Sequence, residues 1–178
     1  MAAASGALFN LGVALPLVAT RVFHIGGGGY GLMLSSFGLG AVVGGVTAAI
    51  GSTWPTGRSV RVLALLSGLI VLGTSASPNI GIELTGLALC GLCSVWFIAR
   101  ANALVQLRAA PEMRGRVMGL WTMALPGMTP FTGLLVGFVC DEFGPQTGFG
   151  LAGIAMVLSA AVAWRALRDA PIDGAAGQ

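Results

Sequence analysis

Six apolar stretches, at about residues 2–20, 30–51, 62–77, 80–102, 117–139 and 148–164, follow one another with only short breaks of charge, Pro or Gly between them. Each is near the ~20 residues that a helix needs to cross the hydrocarbon of a bilayer. The chain is 56% hydrophobic and 8% charged, and carries 29 Gly, whereas a soluble domain is about 25% charged. A water-soluble fold of this length cannot hide so much apolar surface. The expected fold is therefore an all-α membrane protein, a bundle of six transmembrane helices over residues 1–165, followed by a polar tail at 166–178 that is expected to be disordered.

The arginines orient the bundle. All nine basic residues are Arg, against six acids, for a net charge of +3. Loops 52–61 and 103–116 and the tail fall on one side and hold Arg58, Arg61, Arg108, Arg114, Arg116, Arg165 and Arg168. The loops on the other side, 21–29, 78–79 and 140–147, hold only Arg21. Short cytoplasmic loops are the ones rich in positive charge, so both termini are expected in the cytoplasm of a multi-pass protein of the cell membrane. Trp54, Trp121 and Trp164 map to the same inner boundary, where indole rings favour the headgroups. There is no basic run with interleaved aromatics, which excludes a nucleic-acid role. Residue 1 falls at the membrane boundary with no basic flank and no convincing cleavage site, so in place of a signal peptide the chain reads as the later part of a longer membrane protein, or as a reading frame that lost its upstream half.

Small residues and prolines mark where helices meet or bend. Gly40 and Gly44 lie four apart on one face of the second span, and Gly133 and Gly137 repeat the spacing in the fifth; such faces let a second helix come close. Pro126 and Pro130 each remove a backbone donor in the fifth span, which predicts a kink at mid-membrane, either a hinge or a static bend. In the loop before that span, Pro111 and Glu112 suit the opening of a helix, and Arg114 and Arg116 flank Gly115.

Ionisable groups inside a membrane are costly, so each invites a functional reading. Glu83 lies three or four residues into the fourth span from the outside. Its shallow position favours an interfacial carboxylate in contact with water over a proton-coupling one. Arg100, near the inner end of the same span, snorkels to the headgroups or binds an anion; with Asn102 and Gln106 it makes the candidate set for a substrate cavity.

Other patterns carry no chemistry. Residues 26–31 (GGGGYG) match a dinucleotide fingerprint by letter, but no strand precedes them and no acid follows at the right distance, so they read as a flexible outer loop. Cys90 and Cys93 form a C-x-x-C inside an apolar helix without a second pair, and Cys140 is also in an apolar stretch; no metal site is expected. His24 is the only histidine, which leaves hydrolytic mechanisms without a base. Neither an enzyme nor a cofactor is expected.

The stretches ALPLVATRVFHIGGGGYGLMLSSFGLGAVVGG, NALVQLRAAPEMRGRVMGL and GLLVGFVCDEFGPQTGF together resemble the carboxyl-terminal half of a major facilitator superfamily transporter. More narrowly, they resemble the branch that holds the bacterial enterobactin exporter and related drug and siderophore effluxers. The strongest element is Pro-Glu-x-Arg-Gly-Arg at 111–116. The resemblance implies one half, a 3+3 inverted repeat, of a twelve-helix carrier that works by alternating access. It implies proton-coupled export of a small amphipathic organic molecule, with Glu83 as the coupling carboxylate and 111–116 as a cytoplasmic gating motif. Loop 52–61 takes the place of the family's cytoplasmic loop motif, of which Gly51, Gly57 and Arg58 remain while the usual acid is missing. The implied partners are the lipid bilayer, a small-molecule substrate and an amino-terminal six-helix half. The alternative is a non-transporting remnant, or a half that acts only with another half.

Overall fold

A computed structural model describes residues 15–51, 56–77, 79–127 and 129–168. Among these residues the chain is helical throughout and has no strand. A short segment ends in a π-helical turn at Val18–Val22. Six α-helices follow: α1 (Gly26–Ile50), α2 (Gly57–Ser75), α3 (Ile80–Arg108), α4 (Arg114–Gly127), α5 (Thr129–Phe143) and α6 (Pro145–Arg168). A 3-10 turn at Pro111–Met113 leads into α4.

Four of these helices, α1, α2, α3 and α6, are long and apolar enough to cross a membrane. Most of the expected first span lies outside the described residues. The expected fifth span is helical on both sides of residue 128, over α4 and α5, and residue 128 itself lies outside the described residues.

Helix starts follow local chemistry. Thr56 caps α2, its side chain accepting from the Ser59 N–H at 3.3 Å while the Ser59 hydroxyl accepts from the Thr56 N–H at 3.3 Å. Asn79 caps α3 by accepting from the Gly81 N–H at 3.2 Å. The glycine run at 26–31, read from sequence as a flexible loop, instead forms the first turns of α1. Ile25 folds its side chain over Gly29, filling the place of a side chain there. The expected loop at 103–116 is also shorter, because α3 continues to Arg108.

Two seams organise the bundle. Along the first, α1 and α3 run in the same direction: Ser36 meets Leu84, Gly40 meets Ala88, Gly44 meets Leu92 and Thr47 meets Trp96. Gly91 returns the contact against the backbone of Phe37 and Ala41. Along the second, α2 and α6 run in opposite directions, with Arg61 by Trp164, Gly68 by Val157, Leu72 by Gly153 and Ser75 by Gly150. Thr74 lies over Gly86, closing α2 and α3 into an antiparallel pair. Buried Leu15, Val18, Met33, Leu87, Phe97 and Phe149 fill the space between the seams. Leu39, Val42, Val46, Leu134, Phe138 and Val162 are among many large apolar side chains left exposed on the outside, as expected of a surface that meets lipid or other helices.

Candidate functional site

These directions gather chemistry at the two ends of the bundle. At one end the starts of α1, α3 and α6 meet the ends of α2, α5 and the π-helical turn. At the other lie the positions of Arg58, Arg61, Arg100, Arg114, Arg116, Arg165 and Arg168.

Glu83 belongs to the first end. It sits in the first turn of α3, placed there by the Asn79 cap, and is only 2% exposed. The interfacial, water-contacting carboxylate favoured by its shallow position is thus not what the structure holds. Depth in the sequence counts residues from the end of the span, but the side chain turns inward under the loop that joins α2 to α3. There the Ser77 hydroxyl donates to Glu83 Oε2 at 2.6 Å. Among the described residues, Glu83 Oε1 is buried without a hydrogen-bond partner. A water-sized cavity runs alongside, lined by Glu83, Thr74, Ser75, Ser77 and Gln146, with Val18, Phe23 and Phe149 closing it. The wall therefore comes from the π-helical turn, α2 and its following loop, α3 and α6. Ser77 belongs to no motif in the sequence; its one signal there is a place six residues before Glu83, across a helix cap.

The same end carries an ion pair, Arg21 Nη2 to Asp141 Oδ1 at 3.0 Å, that ties the π-helical turn to α5. Both side chains are at least half exposed, so the pair contributes little to stability.

At the arginine end, two Arg–Trp stacks stand on the seams. The Arg100 guanidinium lies 4.8 Å from the centre of the Trp96 ring, and the Trp96 indole N–H donates to Thr47 Oγ1 at 2.8 Å. Arg61 lies 4.7 Å from the centre of the Trp164 ring and donates to the Trp164 carbonyl at 3.3 Å. Trp96 and Arg100 are four apart on one helix, a spacing at which side chains meet, and that signal was available from sequence. Trp54 lies outside the described residues.

The other substrate candidates stay apart from Glu83. Gln106 donates to Asn102 Oδ1 at 3.3 Å near the end of α3, with Gln106 exposed. Pro111, Glu112, Arg114, Gly115 and Arg116 are all exposed, and Arg114 Nε donates to the Ala109 carbonyl at 3.3 Å. Gly51 ends α1, its N–H donating to the Thr47 carbonyl at 2.9 Å, while Gly57 opens α2 and Arg58 is exposed. Residues 52–55 between them lie outside the described set. Gly40 and Gly44 face α3 as given above, whereas Gly137 has, among the described residues, open space where a side chain would go. Gly133 shares that helix at partial exposure. Among the described residues no cluster of His, Cys, Asp or Glu has the makings of a metal site.

A family model described as the Major Facilitator Superfamily matches residues 1–177. The chain belongs to that superfamily. Major facilitators are transporters, and the relatives are named accordingly. The uncharacterized MFS-type transporter STM4428 of Salmonella typhimurium is 34% identical over 117 residues, covering 64% of this chain and 29% of that protein. The uncharacterized transporter YgaY of Escherichia coli O157:H7 is 29% identical over 160 residues, covering 86% of this chain and 40% of its own length. The chain thus spans well under half of the curated relatives it matches. No solved structure matches it. Membership of this superfamily is in keeping with the four long apolar helices of the chain.

Proposed function

We propose that this chain is the carboxyl-terminal six-span half of a proton-coupled exporter of small amphipathic organic molecules, drug-like or siderophore-like, that works by alternating access. Its partner is an amino-terminal six-helix half. The arginine end faces the cytoplasm, in accord with the charge preference of short cytoplasmic loops, and both termini lie there, in the cell membrane.

The observation that carries the coupling role is the burial of Glu83 with one oxygen lacking a partner. A carboxylate held this way has differential affinity for a proton in two conformations that hydrate it differently, which is what an exchange cycle needs. The exposed Arg114-Gly115-Arg116 run holds one state by charge-assisted contacts to cytoplasmic loops. The partner half docks on a stripe of α1 made of exposed Gly31 and Ser35 and half-buried Gly38 and Gly45. At each of these three glycines a side chain would meet nothing within 4 Å, so a helix can approach closely there.

The test is dye efflux in proteoliposomes that hold this chain together with a six-span amino-terminal half. With an imposed proton gradient and ethidium as probe, Glu83→Gln abolishes proton-driven efflux while dye binding remains measurable. Efflux that is as fast and as gradient-dependent as in the parent removes Glu83 from the coupling step.

A further inference from the structure

The wall around Glu83 has an unusual balance of donors and acceptors. Each hydroxyl has one proton to give, and all three hydroxyls of the wall have spent theirs. Thr74 donates to the Ile70 and Val71 carbonyls at 2.9 and 3.0 Å, and Ser75 donates to the Leu72 carbonyl at 2.8 Å. Ser77 donates to Glu83 Oε2 at 2.6 Å. What these groups still offer are oxygen lone pairs, next to a buried Glu83 Oε1 with no partner. Gln146 adds an amide that presents its oxygen or its NH₂. An acceptor-rich, water-sized space calls for an occupant that carries positive charge or donates.

Charge narrows the choice. Among the described residues, the cavity wall holds no basic side chain. The other titratable groups at this end are Arg21 and His24 after the first span, Tyr30 on α1, and Cys140, Asp141 and Glu142 on α5. None of them lines the cavity, and the parts of α2 and α6 that do so carry no titratable residue. Arg21 is engaged by Asp141. A buried carboxylate without a paired charge is costly, and either a proton on the carboxyl group or a cation that enters the cavity removes that cost.

We propose that the cavity bounded by Glu83, Ser77, Ser75, Thr74 and Gln146 is a binding site for one small monovalent cation of sodium size, for which protons compete at the same carboxylate. The ligand set is one carboxylate and neutral oxygens, as suits a hard cation of single charge. The space is about that of one water, which admits one bare alkali cation and excludes a hydrated ion or choline. The site is walled by four segments of this chain alone, so it stands whether or not the transport reading does. A sodium response combined with unaltered efflux in Glu83→Gln would leave the site and remove only the coupling role.

The experiment uses the full chain in nanodiscs, with thermal unfolding followed at constant ionic strength in sodium, lithium, potassium or choline chloride. Sodium at about ten times its dissociation constant lowers the unfolding constant about tenfold relative to choline. The effect shrinks as pH falls, because protons take the carboxylate. Glu83→Gln removes the difference between sodium and choline. Ser77→Ala keeps the carboxylate but raises the sodium concentration needed several-fold, and decides the matter if Glu83→Gln does not fold. Equal stability in sodium and choline, as for a structural water only, overturns the proposal. So does a sodium response that persists in Glu83→Gln, or one unchanged in Ser77→Ala.

Discussion

Replacing Gly44 with alanine puts one methyl group into the seam between α1 and α3. That carbon would stand 2.7 Å from the Leu92 carbonyl oxygen and 2.9 Å from Leu92 Cα. Both obstacles are backbone, so no rotamer change relieves them and the helices themselves must part. Restoring a normal contact of about 3.4 Å opens the seam by roughly 0.7 Å, which forfeits a quarter to a half of the dispersion at each facing atom pair. The same opening stretches two hydrogen bonds that bracket the glycine, Ser36 to the Leu84 carbonyl at 2.6 Å and Trp96 to Thr47 at 2.8 Å, each worth about 0.6 kcal/mol between membrane helices. Overpacking of this kind costs about 1–3 kcal/mol, and with the stretched bonds the expected loss is about 2–3 kcal/mol. Gly40→Ala should cost more, since its methyl group would overlap the Ala88 backbone outright. Gly45 on the same helix has nothing within 4 Å of the added carbon. Gly45→Ala is therefore the control and should be neutral or gain up to about 1 kcal/mol of helix propensity. Reversible unfolding in mixed micelles, followed by far-UV circular dichroism, reads all three. If Gly44→Ala falls within about 0.5 kcal/mol of Gly45→Ala, the close seam is refuted.

Two further outcomes are expected. In a double-mutant cycle of Arg61→Ala and Trp164→Ala, the same unfolding assay should give a coupling of about 0.5–1 kcal/mol, the value of a cation–π contact at a wet boundary; additive effects would place the two groups apart. Gly144 joins α5 to α6 with a φ of +91°, a conformation that costs a residue with a side chain about 1–2 kcal/mol, so Gly144→Ala should lower stability by that amount while Gly137→Ala, in open space, should not.

The helical architecture is written in the sequence because a bilayer leaves the backbone few alternatives. Long charge-poor stretches must be helices, and α1, α2, α3 and α6 lie where those stretches are. The glycine run at 26–31 is helical, against its loop-like composition, for a related reason. Turn propensity belongs to water, and here the chain continues hydrogen bonding through four successive glycines to start α1.

The site was legible to a smaller degree, and the shortfall is geometric. Sequence position gives the depth of Glu83 along α3 but not which neighbours close over it. Depth alone argued for contact with water, yet the turn of chain through Ser77 and the first turns of α6 cover the carboxyl group. The pairing of Ser77 with Glu83 spans a helix cap, and Gln146 arrives from 63 residues further along the chain; no periodicity reports such a meeting. The arginines show the converse. Their count by loop needed only the order of spans, and the parallel and antiparallel registers of the two seams place the same residues together at one end. A property summed over a whole end of the bundle survives errors of a turn in any helix boundary, whereas a site of five side chains does not.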